Sequence, residues 1–224
     1  MSASLINLLW ASTLQTLYMV ALSTILGTLI GGPLGIFLAT SRKGELYSSP
    51  VLNKVLGLVV NAARSVPFII LVVAIIPFTR LVVGTSIGTD AAIVPLTIAA
   101  APFIARLIET AIREVDAGLI EAARSMGATP GQIVRKVLVA EAMPGIVLGL
   151  TLAVVSLIGY SAMVGAVGGK GLGDLGIRYG YQRFMPDVMA AVVVILIVLV
   201  QLVQSIGEWI ASRFDKRAPR NRGR

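Results

Sequence analysis

Val188 to Ile206 is nineteen residues without a single charge, VMAAVVVILIVLVQLVQSI. A helix needs about 20 mostly apolar residues to cross a hydrocarbon core of roughly 30 Å. Inside lipid the backbone has no water to bond, so such a run must satisfy its own amides as a helix. Four further runs are of the same kind, near Leu14 to Thr40, Leu56 to Phe78, Ala91 to Ile112 and Pro144 to Val167. The fold class that follows is an all-α membrane protein with about five transmembrane helices. Composition agrees, since 56% of the 224 residues are hydrophobic and only 13% are charged.

The runs are not equally regular. The apolar stretch from Val51 to Val83 would measure roughly 50 Å as one helix, too long for an upright crossing. Pro67 and Pro77 are its natural breakers, because each removes a backbone donor and clashes with the preceding turn. In the first run Gly27, Gly31 and Gly35 recur every four residues, which lines them up on one helix face for close approach by a neighbour. Arg64 is expected to anchor at the membrane interface, where its long stem lets the charge reach water. Arg106 and Glu109, three residues apart, are placed to pair on one face as the third span ends.

Neither Cys nor His occurs in the chain. Disulfides, thiolate nucleophiles, imidazole triads and most zinc sites are thereby excluded, and no catalytic, metal or cofactor site is expected. The glycine-rich stretch from Gly165 to Gly171 is no phosphate loop. Val164 stands where its first glycine belongs, and Gly171 replaces the hydroxyl residue that would hold magnesium. It reads as an external loop.

The net charge of +8 is distributed by membrane side rather than as a nucleic-acid patch. With the N-terminus outside, thirteen Lys and Arg fall on inner segments and four on outer ones, so the polar stretch after the third span is cytoplasmic. The first Lys or Arg is Arg42, so no charged region precedes the first span and it is expected to remain in the protein. Residues 1–13 are assigned to a periplasmic N-terminal segment, 14–207 to the membrane domain and 208–224 to a basic cytoplasmic tail. That tail, with no apolar period, is expected to lack order and to be drawn to anionic membrane lipid.

The polar stretch, EAARSMGATPGQIVRKVLVAEAMP from Glu121 to Pro144, is patterned as two helices. Leu119, Ala122, Ala123 and Met126 are spaced along one face of the first, with Glu121 at its start. Gly127 marks the turn. Thr129, Pro130 and Gln132 form a capping box that starts the second, whose apolar side carries Ile133, Val134, Val137 and Leu138. A stable loop lying on the membrane would satisfy this pattern as well as a docking element would.

The order Glu121, Ala122, Ala123, then Gly127, then aliphatic Val137 resembles the EAA signature of ABC importer permeases, whose loop docks into a cytoplasmic ATPase. Three longer stretches, RSVPFIILVVAIIPFTRLVVGTSIG, AAIVPLTIAAAPFIAR and GYSAMVGAVGGKGLGDLG, resemble methionine ABC importer permeases. The likeness spans about Leu14 to Gly207. It implies a type-1 permease domain with its EAA loop at about 117–144, in a multi-pass protein of the bacterial inner membrane. It also implies a second copy of the chain, two ATP-binding subunits beneath, and a periplasmic methionine-binding lipoprotein. Glu121, Ala122, Ala123 and Gly127 become the ATPase-coupling residues, and ATP hydrolysis resides in the partner. The signature usually ends in Leu-Pro, where this chain has Val139 and Ala140. A smooth run into the fourth span is therefore expected in place of a hinge.

Tyr160, Ser161 and Met163 are candidates to line a pathway, since a thioether amino acid calls for an apolar, polarisable wall with sparse polar groups. An ATP-independent secondary transporter or channel is the main alternative, and a membrane subunit without a pore the second. The near absence of acids in midspan counts against an ion-coupled relay.

Overall fold

The structure is a computed structural model that describes residues 3–215. Its elements are α1 (Ala3–Thr40), α2 (Pro50–Ser65), α3 (Phe68–Ala74), α4 (Ile76–Val83), α5 (Thr89–Arg113), α6 (Ala117–Ser125), α7 (Pro130–Gln132), a π-helical segment (Ile133–Leu138), α8 (Val139–Ala166), α9 (Leu172–Leu175), a second π segment (Gly176–Tyr181) and α10 (Pro186–Phe214). The described residues contain no strand. Among the described residues four helices are long and apolar enough to cross a membrane, and counting the bent pair α2–α3 as one broken span makes five.

α5 is the centre of the bundle. In its most apolar window 61% of residues are buried, and Leu96, Ile104 and Ala105 are fully enclosed. Pro95 and Pro102 lie inside it without ending it. α1 packs against it through the glycines spaced by four: a Cβ at Gly27 would come within 2.7 Å of the Ala100 Cβ, and Cβ atoms at Gly31 and Gly35 would overlap the Ala101 and Ala105 carbonyl oxygens. Only hydrogen at those positions lets the two backbones approach so closely.

The first helix begins at Ala3, so α1 takes in most of the residues assigned to a separate segment before Leu14. Small polar residues explain how a helix this long is tied to its neighbours. Thr13 and Thr24 donate back to the carbonyls of Leu9 and Val20, while the buried Ser23 donates across to the Ile93 carbonyl at 3.4 Å.

The second apolar run is not one straight helix from Leu56 to Phe78. α2 ends at Ser65 and α3 leaves at 99° to it. Val66 is extended, at φ −80° and ψ 124°, because the residue before a proline is pushed out of the helical region. A second break at Ile75 puts Pro77 in the first turn of α4, where its missing N–H is no loss.

Residues from Pro130 to Ala166 form one continuous helix of 37 residues, so the fourth span does not begin afresh at Pro144. Ala140 keeps its amide in the ladder, and the helix passes through Pro144 as well. The π segment is the local irregularity, with the Val139 N–H reaching the Val134 carbonyl.

The stretch after Ala166 is more than an external loop. α9 and the π segment behind it fold back against α8 and α10, with Leu172 and Leu175 buried. The N-terminal amides of α9 have no side chain of their own to cap them. α1 supplies it: Thr16 Oγ1 accepts from the Leu172 N–H at 2.9 Å and Gln15 Oε1 from the Gly171 N–H at 3.2 Å. Gly173 lies against the backbone of Ala162, leaving no room for a side chain.

At the other end of α1 and α5 sits a charged cluster. Glu109, with only 4% of its side chain exposed, pairs with Arg106, with Arg42 at 3.4 Å and with Arg113 at 3.2 Å. Arg106 also donates to Asn61 Oδ1 of α2 at 2.6 Å. The expected i,i+3 pair is present, and it belongs to a clasp that joins α5, α2 and the turn after α1.

Candidate coupling loop and pathway

α6 starts where Asp116 accepts the Gly118 N–H at 2.7 Å, four residues earlier than the reading that put Glu121 at a helix start. Glu121 is mid-helix. Favourable interaction with the helix N-terminal dipole is thereby lost as a reason for its presence, because that effect fades within the first turn. Its side chain is exposed and forms no ion pair among the described residues.

Gly127 closes α6 in a Schellman motif. Its N–H bonds the Arg124 carbonyl at 2.9 Å, the Ala128 N–H bonds the Ala123 carbonyl at 3.1 Å, and its φ of 79° is the left-handed value that favours glycine. A Cβ there would touch nothing, so the residue serves the turn rather than a close packing contact within the chain. Two residues on, the capping box forms in full: the Thr129 N–H donates to Gln132 Oε1 at 2.9 Å and the Gln132 N–H to Thr129 Oγ1 at 3.4 Å.

The face carrying Leu119, Ala122, Ala123 and Met126 is not turned inward as a whole. Ala123 alone of these is buried, against the segment holding Ile133, while Leu119, Ala122 and Met126 are exposed and Met126 is 81% accessible. Ile133 and Leu138 are enclosed on the second helix. The loop is thus held by a few inward residues and presents an apolar surface beside the Glu121 carboxylate.

Tyr160 stacks on Phe68 with ring centroids 4.4 Å apart and planes 11° apart, which ties α8 to α3 just past the Pro67 break. Met163, a turn further along α8, is 48% exposed. Ser161 differs from both. It is 2% exposed and donates to the Ile158 carbonyl at 2.7 Å, so its hydroxyl is spent inside the bundle and does not face an open path in this chain.

Arg64, expected as an interfacial anchor, packs on the bundle. It lies at the C-terminal end of α2 beside Phe103, a residue in the middle of α5, and lines a 140 Å³ cavity with Phe68, Leu71, Phe103 and Tyr160. Sequence reasoning did not bring Arg64 and Tyr160 to one cavity, because that requires α2 and α8 both to be packed on α5. The described residues contain no group of acids able to hold a metal ion.

Residues 31–218 match the model of a family described as "Binding-protein-dependent transport system inner membrane component". A probable D-methionine transport system permease protein of Vibrio cholerae is 58% identical over 211 residues, 94% of each chain. The methionine import system permease protein of Bacillus subtilis is 44% identical over 209 residues, covering 93% of this chain and 94% of its own. Among solved structures, an inward-facing form of the MetNI methionine ABC transporter superposes with a TM-score of 0.94 at 50% identity, over 96% of this chain and 100% of that one. An amino acid ABC transporter crystallised with histidines shares the fold, with a TM-score of 0.76 at 21% identity over 93% and 94% of the two chains. Such similarity over nearly the whole length shows that this chain belongs to the family of binding-protein-dependent transport system inner membrane components.

Proposed function

We propose that this chain is the pore-forming subunit of an ATP-driven importer that carries methionine from periplasm to cytoplasm by alternating access. Two copies form the pore, two ATP-binding subunits drive it from below, and a periplasmic methionine-binding lipoprotein delivers the substrate. The N-terminus is periplasmic and the C-terminus cytoplasmic; the basic tail beyond Asp215, proposed to meet anionic lipid, lies outside the described residues.

The observation that carries this reading is the joining of an exposed, capped loop to a pore helix in one unbroken element, from Pro130 to Ala166. Nothing in the chain hydrolyses ATP, so work must arrive through contact with a partner that moves. α6 offers that contact: Leu119, Ala122 and Met126 provide apolar area, and Glu121 a carboxylate for a basic group on the ATPase. An ion-coupled carrier needs an acid free to exchange protons or ions in midspan. The buried acid of α5, Glu109, is instead held by three arginines.

The complex reconstituted with its ATPase and binding protein tests the reading. Methionine uptake is expected to stop on ATP depletion, and Glu121→Ala or Gly127→Val to leave ATP hydrolysis uncoupled from uptake or the ATPase unbound. Uptake that survives ATP depletion while an ion gradient is present, with no ATPase co-purifying, would establish the secondary transporter instead.

A further inference from the structure

Arg64 occupies an unusual electrostatic position. On α2, Asn61 accepts from Arg106 of α5, and one turn further along α2 Arg64 lies over the Phe103 ring of α5, 5.8 Å from its centroid. The two helices therefore run in opposite register, and each residue of α2 past Asn61 lies deeper along α5. Phe103 lies one turn, about 5 Å of helix, inside the Arg106–Glu109 cluster. A guanidinium set among apolar helices requires a partner or a wet cavity.

No carboxylate among the described residues pairs with it. What it faces is the 140 Å³ cavity, about ten times the ~10–15 Å³ that a single water needs. The remaining wall is apolar and aromatic: the stacked Phe68 and Tyr160, then Leu71 and Phe103. One unpaired cation at one end and an aromatic cage at the other describe the two halves of an apolar amino acid.

We propose that Arg64 is a substrate-binding residue, whose planar guanidinium takes the α-carboxylate of the transported amino acid while Phe68, Leu71, Phe103 and Tyr160 receive its side chain. The fork geometry of arginine matches a carboxylate with two parallel hydrogen bonds, which a lysine does not reproduce. A thioether suits the rest, because sulfur makes favourable contacts with aromatic rings. The assignment rests on the reading of the chain as an amino-acid importer and names the subsite at which that importer holds its cargo.

The chain contains no Cys, which permits a charge-rescue test in the reconstituted complex with its ATPase and binding protein. Arg64→Gln is expected to assemble with the ATPase and to lose about ten- to a hundredfold in methionine uptake, the span of a charged hydrogen-bonding partner. Arg64→Lys is expected to recover part of that loss. Arg64→Cys treated with a cationic methanethiosulfonate should regain uptake, whereas an anionic reagent should not, and excess methionine should slow the labelling. Undiminished uptake by Arg64→Gln, or equal effects of cationic and anionic reagents, overturns the proposal. Loss of assembly together with uptake also overturns it, since Arg64 would then be structural. Should the unaltered complex import a different amino acid and not methionine, the methionine reading falls, and the same variants assayed with that amino acid still decide the role of Arg64.

Discussion

α5 and α10 are both spans by length and composition, yet 61% of the most apolar window of α5 is buried inside the chain against 6% of that of α10. The more buried helix is the less apolar one. α5 carries prolines, alanines and a salt-bridged glutamate, whereas α10 is a run of Val, Ile and Leu facing outward. The contrast follows from the solvent: between helices, small residues allow close packing, while lipid tails accept any branched chain. Hydropathy therefore finds the spans but ranks them in the wrong order for their place in the fold.

The contrast can be broken by crowding α5. Gly31→Leu would drive a side chain into the Ala101 backbone, which cannot yield without parting α1 from α5. A loss of more than about 3 kcal/mol is expected, beyond the usual range for overpacking, seen as failure to recover folded protein from membranes. Glu109→Ala comes next. It strips three arginines of their shared carboxylate, and about 3 kcal/mol is expected, the low end for a broken buried pair because the arginines keep 27% to 51% of their side-chain exposure. Thermal unfolding in detergent measures it.

Gly207→Leu sharpens the comparison, since Gly207 is where α10 presses on Thr151 of α8. A side chain rather than a backbone opposes it there, so about 1–2 kcal/mol is expected by the same melt. Val198→Leu, on the outward face of α10 and 49% exposed, should shift stability by no more than about 0.5 kcal/mol. A large effect there would mean that this face meets protein and not lipid.

The spans, the glycine seam, the Arg106–Glu109 pair and the Thr129 capping box were all legible in the sequence, because each depends on spacing along one helix. The features that escaped depend on chain brought from afar. α9 has too few apolar residues to announce itself and acquires its cap from Thr16 and Gln15, over 150 residues away. Arg42 joins Glu109 only once α1 and α5 are packed. Arg64 meets Phe103 only once α2 is packed on α5, and Glu121 looked like a helix start because Asp116, the real cap, precedes the recognised pattern. Nor does periodicity say which face of α8 is enclosed, so the buried Ser161 and the half-buried Tyr160 could not be told apart.

The uninterrupted helix from Pro130 to Ala166 has a geometric consequence. At 1.5 Å per residue its 37 residues make an arm of about 55 Å, and a swing of about 5° pivoting near its cytoplasmic end carries the far end through about 5 Å. The Phe68–Tyr160 stack sits near that far end. A tilt too small to disturb the packing around Ile133 is magnified to about 4 Å at Tyr160, thirty residues along the arm, a displacement comparable to the 4.4 Å between the two rings.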